Sequence, residues 1–218
     1  RCTSRGLGDV YKRQDILEAI KKRHSVRGYL SKDVSEDVVK DILETSKFSP
    51  SGVNSQPWKV YVVMGEARNK LVKEACEKFD KGEIETEEYQ VYPSKESMPD
   101  WYKARQRACG FGLYGALGIE RDQMDKRMAW AKKNYEFFDA PVGIFVTVHK
   151  SVGPNGWGHV GHFIQSICLA AVGKGLGTCL QEAWAGFPKL LKKHLEYGDD
   201  EILWLSLIHI SEPTRRTP

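Results

Sequence analysis

Residues 142–148, VGIFVTV, form an apolar run that is rich in β-branched residues. Such a run predicts a strand that is buried on both faces, near the centre of a sheet. Shorter runs predict further strands at 59–63, 178–182 and 201–205, and helical patterns alternate with them. The sequence therefore predicts a layered α+β or α/β domain.

Apolar residues at helical spacing predict the helices around this sheet. A short helix is expected at 15–22, and a second helix begins after Ser35, a suitable N-cap, and ends before Pro50. Residues 159–173 predict a long apolar helix that is ended by closely spaced glycines. This helix suits the core or a dimer interface.

Residues 80–138 are predicted to form an insertion in the domain. Residues 80–101 are polar and irregular, with two prolines, which favours a mobile excursion. Aromatic-rich helices are expected at 102–117 and 122–138. We expect this insertion to be a helical flap that could cover a site.

Composition limits the classes of protein to which the chain can belong. Its 218 residues are 41% hydrophobic and 28% charged, which suits a packed domain rather than a disordered chain. No apolar run reaches the roughly 20 residues that cross a bilayer, and no signal peptide is recognisable. The five cysteines are scattered, without a C-x-x-C pair, so a cytoplasmic protein without disulfides is expected.

The two ends differ from the middle of the chain. Of the net charge of +4, residues 1–14 carry +3 and residues 205–218 carry +1, so 15–204 are neutral and no nucleic-acid partner is expected. VYKRQ near the start and SLIHISEPTR near the end resemble translated sequencing-adapter sequence. The alternative is an ordinary disordered tail at each end. We expect a domain at 15–204 between a non-native leader and a non-native tail, and therefore a truncated fragment.

Two segments in the first quarter of the chain carry residues that suit a ligand site. RHSVR at 23–27 places two guanidiniums and a hydroxyl within five residues, which suits a phosphate. From spacing alone, a solvated basic helix end is the simpler interpretation. The loop SPSGVNSQPW at 49–58 presents amides and small hydroxyls that suit a planar heterocycle. From composition alone, a plain helix-to-strand loop is the simpler interpretation.

A third segment, GKGLGTCLQEA at 173–183, has the spacing G-x-G-x-G and follows a helix. A dinucleotide-binding fingerprint needs G-x-G-x-x-G after a strand, so a Rossmann site is excluded. His159 and His162 would share a helix face without a third ligand nearby, so no metal site is expected. Cys179 is expected to be a buried structural thiol rather than a nucleophile.

Together these three segments resemble the FMN-dependent nitroreductase family in their order and approximate spacing over residues 15–204. RACGFGLYGALGI and FFDAPVGIFVTV resemble its nitrobenzoate reductase branch. The resemblance implies an α+β, three-layer fold with a mostly antiparallel central sheet flanked by helices. It also implies a homodimer that binds FMN at its interface.

The resemblance implies roles for particular residues. Those expected at the phosphate and ribityl end of FMN are Arg23, His24 and Ser25, while Arg27 would reach the N1/O2 edge of the flavin. Those expected to contact the flavin from the partner subunit are Pro50, Ser51, Gly52 and Asn54. Those expected along the ring are Leu180, Gln181, Glu182 and Ala183, with the amides of Glu182 and Ala183 at N5 and O4.

The implied activity needs no catalytic side chain, because the flavin carries the chemistry. NADH or NADPH would give hydride to the flavin, and a small aromatic acceptor, a nitroaromatic or a quinone, would then take it in a ping-pong reaction. The aromatic flap would shape the acceptor pocket. The alternatives are other flavin chemistry on this scaffold (reductive dehalogenation or enoyl reduction), a non-catalytic flavin-binding protein, and a thiol enzyme that uses Cys179.

One departure from the family concerns the end of the chain. In the family a basic residue near the C-terminus completes the phosphate clamp, and here that region reads LSLIHISEPTRRTP. Arg215 and Arg216 lack the family context and are given no role. We therefore expect weaker dimerisation and weaker FMN binding than in a natural parent, by about 1.5–3 kcal/mol for one charged contact.

Overall fold

The computed structural model describes residues 16–30 and 32–211, and the side chains among them up to Trp204. Within these residues the chain forms seven α-helices and four strands, and the strands pair antiparallel in one sheet. The expected α+β class is therefore confirmed. None of the described helices combines the length and the apolar character needed to cross a bilayer.

The sheet has the strand order β1-β2-β4-β3. Its strands are β1 (Trp58–Met64), β2 (Val142–His149), β3 (Gly177–Gln181) and β4 (Glu201–Ser211). The first seven residues of β2 are buried, and β2 pairs with β1 on one side and with β4 on the other. This confirms that VGIFVTV is an interior strand.

The described helices include those that apolar periodicity predicts near 15–22, after Ser35, near 102–117 and near 159–173, and they also include Pro188–Leu195, which was not predicted from the sequence. They are α1 (Ile16–Lys22), α2 (Glu36–Ser46), α3 (Gly65–Asp80), α4 (Asp100–Ala116), α5 (Met124–Lys132), α6 (Pro154–Gly173) and α7 (Pro188–Leu195). Ser35 caps α2 as predicted, because its hydroxyl accepts a hydrogen bond from the amide of Val38.

Successive residues of β2 point to opposite faces of the sheet, and each face has its own core. Ile144 and Val146 pack into a cluster with α2 and α6. Phe145 packs into the other cluster, with α3, α7 and the fully buried Trp184. The sheet is thus the middle layer of three.

Three elements differ from the sequence prediction in length, and the first is α6, which begins at Pro154 rather than at residue 159. The helix expected at 122–138 ends at Lys132 and is followed by turns, and the positive φ angles at residues 137–139 are incompatible with a helix that reaches 138. The strand expected at 201–205 runs to Ser211, because it pairs with both β2 and β3 over that length. The origin of residues 205–211 stays a prediction, and 1–15 and 212–218 lie outside the described residues.

Candidate functional site

A cavity of about 760 Å³ lies at the end of β3, where the strand passes into a 3₁₀ turn at Ala183–Gly186. This volume is within the range of about 300–1,000 Å³ that is typical of small-molecule sites. Five of the predicted site residues line this cavity, namely Arg27, Leu180, Gln181, Glu182 and Ala183. A second cavity, of about 770 Å³ between α4 and the loop before α5, contains none of them.

Arg27 reaches the cavity because the turn that carries it is bonded to β3. The amide of Val26 donates to the carbonyl of Thr178 at 2.9 Å, and Ser25 forms a parallel bridge with the same residue. Gly177 makes this approach possible, since a Cβ atom there would lie 2.7 Å from the Val26 side chain. Two of the segments that the sequence singled out therefore meet in space.

The other predicted residues of this turn do not line the cavity. Arg23 and Ser25 are half-buried, and His24 is exposed with its Nδ1 2.8 Å from the carbonyl oxygen of Lys22. All three belong to the segment that holds Arg27 against β3. They can serve a ligand that extends beyond the cavity along this turn.

Asn134 and Tyr135 fix the wall that β3 and its 3₁₀ turn provide. The Asn134 side-chain oxygen accepts from Gln181 Nε2 at 2.7 Å, and its carbonyl accepts from Trp184 Nε1 at 3.2 Å. The Tyr135 hydroxyl donates to the carbonyl of Ala183 at 3.2 Å. Sequence reasoning placed Tyr135 in an aromatic stretch but missed Asn134, which no motif or period marks.

Glu182 and Ala183 line the cavity at the start of the 3₁₀ turn. Its first hydrogen bond runs from the Ala185 amide to the Glu182 carbonyl at 3.0 Å. The amides of Glu182 and Ala183 precede that bond and so have no acceptor within the turn. They can donate to a ligand.

The electrostatics of the cavity combine one guanidinium with carboxylates and protonated phenols. Arg27 supplies the positive charge, and Glu87 and Glu182 supply carboxylates. Burial raises the pKa of Tyr135 to about 12, so its hydroxyl remains a donor. The pKa of Tyr92 is also raised, mainly by burial and secondly by a hydrogen bond to Glu182.

Cys179 lines the cavity but is unsuited to nucleophilic chemistry. Its side chain is 1% exposed, and burial raises the pKa of its thiol to about 11. A thiol with so high a pKa carries little thiolate near neutral pH. The structure thus confirms that Cys179 is buried, as the sequence predicted.

The outer wall of the cavity comes from the first part of the predicted insertion. Ile84, Glu87, Val91 and Tyr92 line the cavity. The Glu85 amide donates to the Gly186 carbonyl at 2.9 Å, and its carboxylate accepts from the Lys189 amide at 2.7 Å. Tyr89 donates from its hydroxyl to the carbonyl of Trp204. The segment is therefore anchored to the domain at several points, while α4 and α5 do not line this cavity.

The loop that contains Pro50, Ser51, Gly52 and Asn54 lies elsewhere, along α6. Ser49 at its start donates from its hydroxyl to the hydroxyl of Ser166 at 2.6 Å, and the Gly52 amide donates to Nε2 of His159 at 3.1 Å. Val53 is fully exposed. This loop contributes nothing to the cavity of its own chain.

Comparison with known proteins places the chain among flavin-dependent reductases. The sequence model of the Nitroreductase family matches residues 20–209. The chain is 36% identical to nitrobenzene nitroreductase of Ectopseudomonas oleovorans, over 86% of this chain and 82% of that protein. It is 34% identical to 4-nitrobenzoate reductase of Nocardioides sp. strain LMS-CY, over 81% and 72%. The crystal structure of the FMN- and NADPH-dependent nitroreductase NfnB of Sphigopyxis sp. strain HMH superimposes with a TM-score of 0.87, at 33% identity, over 94% of this chain and 93% of that one.

Proposed function

Since the chain belongs to the nitroreductase family and is an oxidoreductase of that type, we propose that it binds FMN and reduces a nitroaromatic or quinone-type acceptor with NADH or NADPH. The observation that carries this proposal is the meeting of Arg27 with Leu180–Ala183 around one cavity of about 760 Å³. Neither segment has a ligand-binding motif of its own, and the Val26–Thr178 hydrogen bond brings them together.

The donors around the cavity fit a flavin ring. The Arg27 guanidinium would stabilise negative charge at the N1/O2 edge, since a fixed cation favours the charged form of a neighbouring group. The amides of Glu182 and Ala183 would meet N5 and O4. The apolar parts of Phe79, Ile84 and Tyr135 would pack against the ring.

The chemistry that FMN supplies when bound is hydride acceptance from nicotinamide and hydride donation to the acceptor. The protein holds and orients the ring through Arg27 and through the wall that Asn134 fixes on Gln181. Arg23, His24 and Ser25 would hold the phosphate and ribityl end, because Arg offers a fork of donors that matches phosphate oxygens. No protein nucleophile is required.

A homodimer would complete the site. Pro50, Ser51, Gly52 and Asn54 lie away from the cavity of their own chain, where they would contact the flavin of the partner subunit. Of the adjacent apolar side chains, Phe48 is 90% exposed and Val53 is fully exposed. Contiguous apolar patches, rather than single exposed residues, mark surfaces that a partner covers, so it is the position of the loop away from its own cavity that supports the dimer.

Because the predicted flavin-site residues of this chain line one cavity, we expect nicotinamide and acceptor to use the same face of the flavin in turn, which is a ping-pong reaction. The relatives are named for nitrobenzene and 4-nitrobenzoate, which supports a small aromatic acceptor. The scattered free cysteines favour the cytoplasm as the place of action.

The purified protein tests these proposals directly. We expect the absorbance bands of oxidised flavin, saturable FMN binding, and NAD(P)H oxidation that depends on 4-nitrobenzoate or a quinone, with parallel double-reciprocal plots. A halophenol in place of the nitro compound tests dehalogenation. Sedimentation of the purified protein measures whether it forms the proposed homodimer. Failure to bind FMN would refute the function, whereas binding without NAD(P)H oxidation would favour a non-catalytic flavin protein.

A further inference from the structure

The loop at 51–56 has a backbone conformation that Val53 and Gln56 do not favour. Val53, Asn54 and Gln56 have φ angles of 48°, 55° and 42°. A positive φ is uncommon in residues other than glycine and is especially unfavourable in a β-branched residue such as Val53. Strained backbone of this kind persists only where surrounding contacts hold it, and it is concentrated at functional sites.

Hydrogen bonds inside the loop are not sufficient to fix it against the domain. The amides of Asn54 and Gln56 bond to the Ser51 carbonyl and hydroxyl, each at 3.0 Å, and these contacts only close the loop on itself. Contacts from outside are the Gly52 amide to His159 Nε2 at 3.1 Å and the Gln56 side chain to the Lys47 carbonyl at 3.4 Å. The imidazole of His159 is therefore the principal side chain from another element that holds the tip.

The loop and the imidazole fit each other closely. A Cβ atom on Gly52 would lie 2.9 Å from His159 Nε2, so only glycine lets the ring reach the backbone here. An amide can only donate, so Nε2 must accept, and a neutral imidazole that accepts at Nε2 carries its proton on Nδ1. Protonation would place two N–H groups against each other and remove the bond.

We propose that His159 is a positioning residue, which holds the loop in its flavin-facing shape only while its imidazole is neutral, so that acid weakens FMN binding. The inference rests on the proposed function, because it takes the loop to contact the flavin of the partner subunit. Histidine is the side chain that ordinarily changes charge between about pH 5 and 8.

Few other charged groups surround this contact in the described part of the chain. Residues 48–58 contain no charged side chain. On α6 the nearest titratable group is His162, whose ring centroid lies 6.3 Å from that of His159. At the end of α2, Lys47 is paired with Glu44. His162 is therefore the appropriate control.

The contact itself is tested without flavin. In spectra of the ¹⁵N-labelled protein, the Gly52 amide resonance should move with pH between about 5 and 8 in the unmodified protein and in His162→Gln. It should not move in His159→Gln, because a glutamine accepts a hydrogen bond through a group that does not titrate. An equal movement in His159→Gln would overturn the assignment.

The consequence for FMN is tested by fluorescence titration of the same three proteins. At each pH the FMN dissociation constant of the unmodified protein is divided by that of His159→Gln. Titration of the FMN phosphate changes both constants equally and therefore cancels in this ratio. We expect this ratio to rise roughly tenfold from neutral pH to about pH 5, as for loss of one hydrogen bond. The ratio of the dissociation constants of His162→Gln and the unmodified protein should stay constant over the same range. His159→Phe should bind FMN weakly at every pH while melting at a similar temperature.

The outcomes separate this inference from the proposed function. Parallel acid weakening in the unmodified protein and His159→Gln would overturn the inference and leave the function intact. If no protein binds FMN while the Gly52 resonance still follows His159, the proposed function fails and the flavin part of the inference fails with it.

Discussion

The carbonyl of Thr178 accepts a hydrogen bond from the amide of Val26 at 2.9 Å, and this bond fixes the turn that carries Arg27 to the wall of the cavity. The contact depends on Gly177, where a Cβ atom would lie 2.7 Å from the Val26 side chain. The position of the cation over the candidate site is therefore set by backbone packing rather than by the side chain alone.

Gly177→Ala should damage both stability and cofactor binding. Its new methyl would lie 2.7 Å from Val26, and overpacking of this kind costs about 1–3 kcal/mol. We expect a lower free energy of unfolding in urea and a higher FMN dissociation constant. Gly173→Ala is the matched control, since open space surrounds that position. Equal effects from the two substitutions would contradict the role of the close approach.

Arg27→Met should weaken FMN binding by about 1.5–3 kcal/mol, because a charge-assisted contact is lost. Fluorescence titration measures the change. Arg105→Met serves as the control, because the Arg105 guanidinium lies 5.1 Å from the ring centre of Trp101 on the flap and does not line the cavity. If the two variants bind FMN equally well, Arg27 does not touch the flavin.

Thiol reagents should leave the activity unchanged near neutral pH. Cys179 is buried with a pKa raised to about 11, whereas Cys109 is exposed. Peptide mapping after iodoacetamide should show modification of Cys109 and protection of Cys179, with NAD(P)H oxidation retained. Denatured protein should be labelled at both positions. Loss of activity together with labelling of Cys179 would revive the thiol-enzyme alternative.

Glu201→Gln should destabilise the sheet. Burial alone would raise the pKa of this carboxyl, but its hydrogen bonds, with Lys59 Nζ at 2.5 Å and Thr147 Oγ1 at 2.5 Å among them, together hold it below its usual value. A depressed pKa stabilises the fold above about pH 4.3, the ordinary value for Glu, and this stabilisation is lost as the pH falls through the folded-state value.

At neutral pH we therefore expect Glu201→Gln to lower the free energy of unfolding by about 1.5–3 kcal/mol. The variant should also lose less stability than the unmodified protein on acidification, as urea unfolding at neutral pH and at about pH 3 would show. Glu66→Gln, at an exposed pair with Lys70, should change stability by less than about 0.5 kcal/mol. If acidification lowers the free energy of unfolding equally in the unmodified protein and in Glu201→Gln, the hydrogen bonds of Glu201 are not a source of the acid dependence of stability.

Local patterns in the sequence predicted the elements that local forces determine. Ser35 caps α2 because a hydroxyl at that position can reach the amide of Val38. Ile144 and Phe145 are both buried because a run in which Thr147 is the one polar residue favours a strand between two covered faces.

Contacts between distant parts of the chain were not predictable in this way. Gln181 and Asn134 are 47 positions apart, and no period or motif connects them. The sequence pattern indicates for His159 only a weak metal-ligand spacing with His162, yet its partner in the structure is the Gly52 amide, 107 positions away. The resemblance to adapter sequence predicts that residues 205–211 belong to a non-native tail, whereas their place in the sheet depends on pairing with β2 and β3.

The strand order has a consequence for synthesis of the chain. Among the described strands, β3 pairs only with β4, which the ribosome makes later and which must enter between β2 and β3. The wall that bears Leu180 and Gln181 therefore has no strand neighbour while the nascent chain is still emerging. Exposed strand edges promote aggregation, so this stage of translation is where the protein would most need a chaperone.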